Sequence, residues 1–208
     1  MVPPAIPRIF HRIWLGGPEP AQHWLWMQSW RRYHPDWRII TWTDHNLPPL
    51  RNQAYFDRAA SPAQRSDIAR YELLARFGGV YLDTDMEALR AIDGLLEGVE
   101  FFCAYEDEVW LNIAILGCVP ENAVMRALVG ELPASFESNM GGSINGQSGP
   151  QFFTRVVNRL RSDPDGASVA AFPSALFYPY HFSEPQRAGD SFPNAYAAHH
   201  WSHSWKAE

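Results

Sequence analysis

Lysine is nearly absent. Lys206 is the single one in 208 residues, and the other basic residues among the 17 are arginines. Against 23 acids they leave a formal net charge of -6, and no basic stripe runs through the chain, which argues against a nucleic-acid surface. Cysteine is scarce too. Cys103 and Cys118 each sit in an apolar run (FFCAY and AILGC), too few for a disulfide framework. Both read as small buried residues in a reducing compartment, so a soluble, cytoplasmic protein is expected. No apolar stretch reaches the roughly 18 residues that would cross a bilayer. The opening MVPPAIPRIFHRIW lacks the charged segment and apolar run of a secretory signal.

What is present fits one α/β domain. Hydrophobic residues make up 46% of the chain and charged ones 19%, enough apolar surface for a core at this length. Nine tryptophans exceed ordinary usage; some are expected at a sugar or lipid-linked acceptor surface, with peripheral membrane contact in reach. Arginine's planar fork suits diphosphates and carboxylates, though arginine excess equally reflects coding bias.

The patterning alternates strands and helices. Residues 8–15 (RIFHRIWL) read as a buried strand closed by Gly16, Gly17 and Pro18. Residues 21–34 read as a helix, with Trp24, Met27, Trp30 and His34 on one face and Pro35 as its stop. A second strand spans 37–43, and 47–60 is expected to be partly helical. Ser61-Pro62 is a helix start that should run to Phe77, with Gly78 as a left-handed cap. Strands follow at 80–83, 101–105 and 112–118, and helices at 121–132 and 150–161. Residues 140–150 (MGGSINGQSGP) look like a mobile loop, and 172–180 and 194–201 look extended or irregular. Strands interleaved with helices predict an α/β sheet.

The chemistry concentrates at Asp83-Thr84-Asp85, directly after an apolar strand. If the chain stays extended, the two carboxylates share a face about 7 Å apart. Two bare acids there repel; a divalent ion removes that cost and becomes a clamp for a diphosphate. The bland alternative is a turn with solvated acids. One helix upstream, Asp67 and Arg70 stand three apart and share a face, with Tyr71 beside it; they are either a surface ion pair or part of the same pocket. His11, inside a strand, reads as a satisfied core histidine. Glu106, Asp107 and Glu108 read as a solvated acidic loop, one of which faces the acceptor in the functional alternative.

The stretch SDIARYELLARFGGVYLDTDME (66–87) resembles the DXD-containing region of glycosyltransferase 32-type sugar transferases. IPRIFHRIWLGG (6–17), SWRRYHPDWRIITWTD (29–44), LNIAILGCVPEN (111–122), SGPQFFTRVV (148–157) and AHHWSHSW (198–205) resemble further blocks of that family in the right order, so the likeness covers nearly the whole chain. The resemblance implies a GT-A fold: a Rossmann-like nucleotide-diphosphosugar transferase with a mixed central sheet. It implies a single domain over 1–208, with a nucleotide-binding core of about residues 6–120 and an acceptor side and closing segment over 121–208. It implies a UDP- or GDP-sugar donor, Mn²⁺ or Mg²⁺, retention of anomeric configuration, and a glycan or lipid-linked acceptor, in surface polysaccharide synthesis by default. By motif, Asp85 ligates the metal directly, Asp83 meets the ribose or the metal and its water shell, and His199 is a metal or diphosphate ligand, with His200 as its competitor. Asp67 and Arg70 hold the donor sugar, Ile13 and Trp14 border the nucleotide, and Asn112 lies near the sugar. Ser204 and Trp205 close over the diphosphate.

Three readings compete with this one. A phosphohydrolase with an Asp-x-Asp pair would continue into Gly-Thr or Gly-Val, whereas Met86-Glu87 follows here. A glycosidase also uses two carboxylates, one of them in an apolar pocket. A nucleotide-sugar binding module without turnover suits the short chain.

Overall fold

The computed structural model describes residues 5–140, 142–164 and 166–202. The expected first strand forms as β1 (Ile9–Ile13), followed by α1 (Ala21–Tyr33) and β2 (Arg38–Trp42). The face of α1 differs from the expected one. His23, Met27 and Trp30 point inward, and Trp24 stands 55% exposed, because the buried stripe begins one residue earlier than the tryptophan spacing suggests. Residues 47–60 contribute α2 (Gln53–Arg58).

α3 (Pro62–Phe77) starts as its sequence dictates. The Ser61 hydroxyl accepts from the Gln64 amide at 3.2 Å, and Pro62 occupies the first turn. Two glycines then turn the chain into β3 (Gly79–Leu82). Gly78 adopts φ 61°, ψ -156°, a mirror-extended conformation rather than the left-handed helical cap expected. A Cβ there would lie 2.7 Å from the Pro120 ring. Gly79 has φ +90°, and a Cβ on it would meet the Ile9 carbonyl at 2.7 Å. Only residues without side chains let α3 feed β3 so close against β1.

β4 (Met86–Ala88), β5 (Phe101–Tyr105) and β6 (Leu111–Cys118) follow. α4 (Ala123–Ser138) runs past the expected end at 132, through Pro133. Residues 140–150 are not simply a loop. They contain α5 (Ile144–Gln147), capped by the Ser143 hydroxyl, and the buried Gln147 side chain donates to the Asn139 carbonyl and accepts from Gln64. α6 (Pro150–Arg161), β7 (Ala170–Phe172) and β8 (Ala197–His199) complete the order.

The main sheet is mixed and ordered β2-β1-β3-β6-β5-β7. β1 runs parallel to both β2 and β3; β6 is antiparallel to β3 and β5, and β7 is parallel to β5. β3 and β6 are buried along their whole length, as central strands covered on both faces must be. One core, built by Leu73, Leu74, Leu128 and Phe153, fills the face under α3, α4 and α6. The other, built by Phe10, Trp30, Val80, Leu82 and Phe177, fills the face under α1 and the C-terminal segment. Cys103 and Cys118 are free thiols buried in the sheet.

The chain leaves β1 for β2 on one side and returns to β3 on the other. The carboxyl ends of β1 and β3 therefore flank a topological switch point, where α/β sheets open a crevice for ligands. A second sheet pairs β4 with β8 antiparallel, setting Met86 opposite His199.

Candidate functional site

Leu82 ends β3, and the chain turns at once: the Met86 amide donates to the Asp83 carbonyl at 3.1 Å. This turn replaces the extended Asp-Thr-Asp expected from sequence. Asp83 and Asp85 converge instead of standing a full strand repeat apart. The β4–β8 pairing then brings His199 from 114 residues away to meet Asp85, Nε2 to Oδ1 at 3.1 Å, with Asp83 Oδ2 at 3.9 Å. Ligand atoms of Asp83, Asp85 and His199 all lie within 4.8 Å of one another. His199 and not His200 enters this cluster. His200 turns to Glu87 at 2.8 Å and stacks on Trp26 at 4.4 Å.

Asp85 is buried, and its Oδ2 accepts both the Ser202 amide (2.8 Å) and the Ser202 hydroxyl (3.0 Å). Burial opposes its ionisation, but His199 and the Ser202 donors outweigh burial and hold the carboxyl far below its usual range. For His199, burial likewise opposes charge, while Asp85 and Asp83 favour it, and the net shift is upward. The His199 Nδ1 is buried without a hydrogen-bond partner among the described residues. Trp201 packs its ring 4.1 Å from His199 and takes φ 51°, which a bulky residue adopts only where its surroundings enforce it. That turn aims Ser202 back at Asp85. The Ser202 hydroxyl also lies 3.3 Å from Nε2 of the buried His23.

Below the turn, Arg70 gathers the other acids. Its guanidinium meets Asp67 Oδ1 (3.1 Å), Asp83 Oδ1 (3.3 Å), the Ile113 carbonyl (2.7 Å), and the Ser66 carbonyl and hydroxyl (3.3 and 3.2 Å), and it lies 4.3 Å over the Tyr81 ring. Its hydrogen bonds go to Ile113 and Ser66, and the two carboxylates flank it as ion partners. Arg70 thus lies between Asp67 and Asp83, within ion-pair distance of both. The Tyr81 hydroxyl donates to Asp83 at 2.7 Å. Asp67 is buried, and the Ser148 hydroxyl donates to its Oδ2 at 3.0 Å. Burial raises the Asp67 carboxyl to about 6, ahead of the opposing pull of Arg70 and Ser148.

The remaining expected residues divide. Trp14 is half-buried just beyond β1; its ring N–H donates to the Gly17 carbonyl, and its ring stands perpendicular to that of His23 with centroids 5.2 Å apart. The Ile13 side chain lies in the core, so only its backbone belongs to the strand end. Tyr71 points away from the cleft: it is fully buried, stacks on Phe153, and its hydroxyl donates to the Ser148 carbonyl at 2.7 Å. Asn112 accepts from the Ala114 amide and donates to Glu106 at 2.7 Å, next to the Ala114 carbonyl that anchors the Asp83 amide. Glu106 is thus drawn inward from the acidic loop. Ser204 and Trp205 lie outside the described residues.

Three site residues were not singled out from the sequence: His23, and Ser148 and Ser202, which lie inside family-like blocks without a role assigned to them. His23 sits on the buried stripe of α1, and its position beside the tryptophans was the one available hint. Ser148 and Ser202 act through contacts 81 and 117 residues away.

The donor set suits a hard divalent cation. Ligands about 2.1 Å from an octahedral ion stand about 3 Å apart, and Asp85 and His199 already keep 3.1 Å. Two carboxylates and an imidazole could hold one such ion; the set does not choose between Mn²⁺ and Mg²⁺.

The family comparison spans this turn. Residues 20–102 match a family profile described as a glycosyltransferase sugar-binding region containing a DXD motif. Residues 20–102 are similar to that region, and they contain one Asp-x-Asp motif. Its acids are Asp83 and Asp85. Inositol phosphoceramide mannosyltransferase 1 of Schizosaccharomyces pombe is 34% identical over 105 residues, which cover 46% of this chain and 33% of that protein. The chain thus spans about a third of that relative's length. Among solved structures, the PaToxG glycosyltransferase superposes with a TM-score of 0.66 at 14% identity, covering 76% of this chain and 70% of that one. The UDP-bound glycosyltransferase domain of the YGT toxin gives 0.61 at 13% identity, covering 86% and 82%. At such identities these neighbours speak for the fold, which is GT-A, as the sugar-transferase resemblance led one to expect.

Proposed function

We propose that the protein moves a sugar from a UDP- or GDP-linked donor onto a glycan or lipid-linked acceptor, with retention of configuration and with Mn²⁺ or Mg²⁺ held by Asp83, Asp85 and His199. The observation that carries this reading is the convergence of those three side chains at the β1/β3 switch point, one turn from the buried Asp67–Arg70 pair. The match to the DXD-containing sugar-binding region supports it, as does the UDP named for the YGT toxin neighbour. Surface polysaccharide is the proposed destination of the sugar and the cytoplasm the proposed compartment, where two buried free thiols stay reduced.

Breaking the anomeric C–O bond builds negative charge on the departing diphosphate, and a divalent ion supplies Lewis-acid stabilisation of that charge. The chain's own residues set this up. Arg70 and Tyr81 fix the Asp83 carboxylate from below, and Ser202 fixes Asp85 from the side. His199 offers Nε2 to the same point, and ligation there would require its neutral ring. Asp67, backed by Ser148, stands where a sugar hydroxyl could be received by a carboxylate. Trp14 forms the wall beyond β1 for the nucleoside.

A screen of UDP- and GDP-sugars, reading release of the nucleoside diphosphate with and without Mn²⁺, tests the reading. Metal-dependent release from one donor is expected. Binding of Mn²⁺ and UDP or GDP without release under any donor would favour a binding module, and phosphate release from general phosphoesters would favour a hydrolase.

A further inference from the structure

We infer that the outward face of α1 docks the protein on a lipid surface carrying anionic headgroups. The inward positions of the helix are His23, Met27 and Trp30. At 3.6 residues per turn, Trp24, Gln28 and Arg31 form one outward row, and Ala21, Leu25 and Arg32 form the next. Trp24 and Leu25 are 55% and 57% exposed. Arg31 and Arg32 are exposed as well, and among the described residues neither has an acidic partner. The helix itself contains no Asp or Glu.

One end of this face is therefore apolar and the other cationic. Helices that lie in a membrane interface combine these two features: tryptophan and leucine enter the headgroup boundary, and arginines meet lipid phosphates. The chain as a whole carries -6, so an anionic surface repels most of it and favours approach by this side. The same charge pattern disfavours a second copy of the chain as the occupant. A twofold contact of this face with itself would set arginines against arginines.

The inner side of α1 touches the site. His23 approaches the Ser202 hydroxyl that holds Asp85, and Trp26 stacks on His200. The docked face and the wall of the site are separated by about one helix diameter, roughly 10 Å. Docking would set the cleft beside the surface from which a lipid-linked acceptor projects. The inference is independent of sugar transfer, because membrane binding is read without a donor.

The test is sedimentation of the full chain with phosphatidylcholine vesicles, with and without phosphatidylserine. Binding is expected only with phosphatidylserine, and it should weaken as salt is raised. Trp24→Ala/Leu25→Ala and Arg31→Glu/Arg32→Glu should each lower partitioning by about tenfold or more, with circular dichroism and thermal unfolding unchanged. Arg126→Glu, on the exposed side of α4, should leave binding as it was. Quenching of tryptophan emission by brominated lipid should fall in Trp24→Phe. The inference is overturned by equal binding to both vesicles, by no binding to either, by full binding of the α1 variants, or by a dimer in light scattering that Trp24→Ala dissolves.

Discussion

Ser202 gives its amide and its hydroxyl to a single oxygen of Asp85, Oδ2, leaving Oδ1 to face His199. Groups that orient a metal ligand without touching the ion commonly control affinity by ten- to a hundredfold. Ser202→Ala keeps the amide donor and loses the hydroxyl, so Mn²⁺ affinity, read by calorimetry or electron paramagnetic resonance, should drop by about tenfold. Ser202→Thr, which restores a hydroxyl, should recover most of it. Unchanged affinity in the alanine variant would remove Ser202 from the site.

Asp85 itself should be indispensable for turnover. Replacing it with alanine deletes a ligand and frees His199 and Ser202 from their shared partner. Release of UDP or GDP should slow by about a thousandfold, corresponding to about 4 kcal/mol of barrier. Activity close to that of the unaltered protein would contradict the metal-centred reading.

His11 makes acid stability predictable. Trp42 donates to its Nδ1 at 3.0 Å, so Nε2 carries the hydrogen and donates to the Gly78 carbonyl at 3.0 Å. Both nitrogens are satisfied in the neutral ring alone. Burial, the largest cause, lowers its pKa from 6.5 to about 4. The unfolded chain then binds more protons than the folded one between those values. The His11 contribution should be fully present above about pH 6.5 and fall as pH drops toward 4, by at most about 3 kcal/mol. Urea unfolding across this range is the measurement. In His11→Phe the slope should flatten, whatever the change in absolute stability.

Gly79→Ala should destabilise the fold by about 2 kcal/mol or more, since it combines strain at positive φ with a Cβ against the Ile9 carbonyl. The midpoint of thermal or urea unfolding reads this directly. A midpoint within error of the parent would mean that β1 and β3 can separate at no cost.

Much of the fold was legible locally. β1, β2, β3, β5 and β6 announce themselves as apolar runs between turn residues, and α3 carries its cap and proline in the open. The acids at 83 and 85 and the pair at 67 and 70 were visible for the same reason, as close neighbours in sequence. The turn between Asp83 and Met86 was not, because three residues of β4 acquire their strand only by pairing with β8 across more than 100 residues. Tyr71 was assigned to the pocket because it neighbours Arg70, but helical rotation sends it into the core under α6. The segment around Gln147 looked loose by composition and is held by partners on α3 and α4 that its own residues do not disclose.

The β4–β8 ribbon also dictates a schedule. Two of the three groups proposed to hold the ion emerge from a ribosome well before the third, and every strand of the main sheet precedes residue 173. A nascent chain can lay down its whole scaffold while lacking the imidazole that completes the cluster. Competence would then wait until His199 has emerged and β8 has paired with β4, and a protein cut before Ala197 should fold around an incomplete centre.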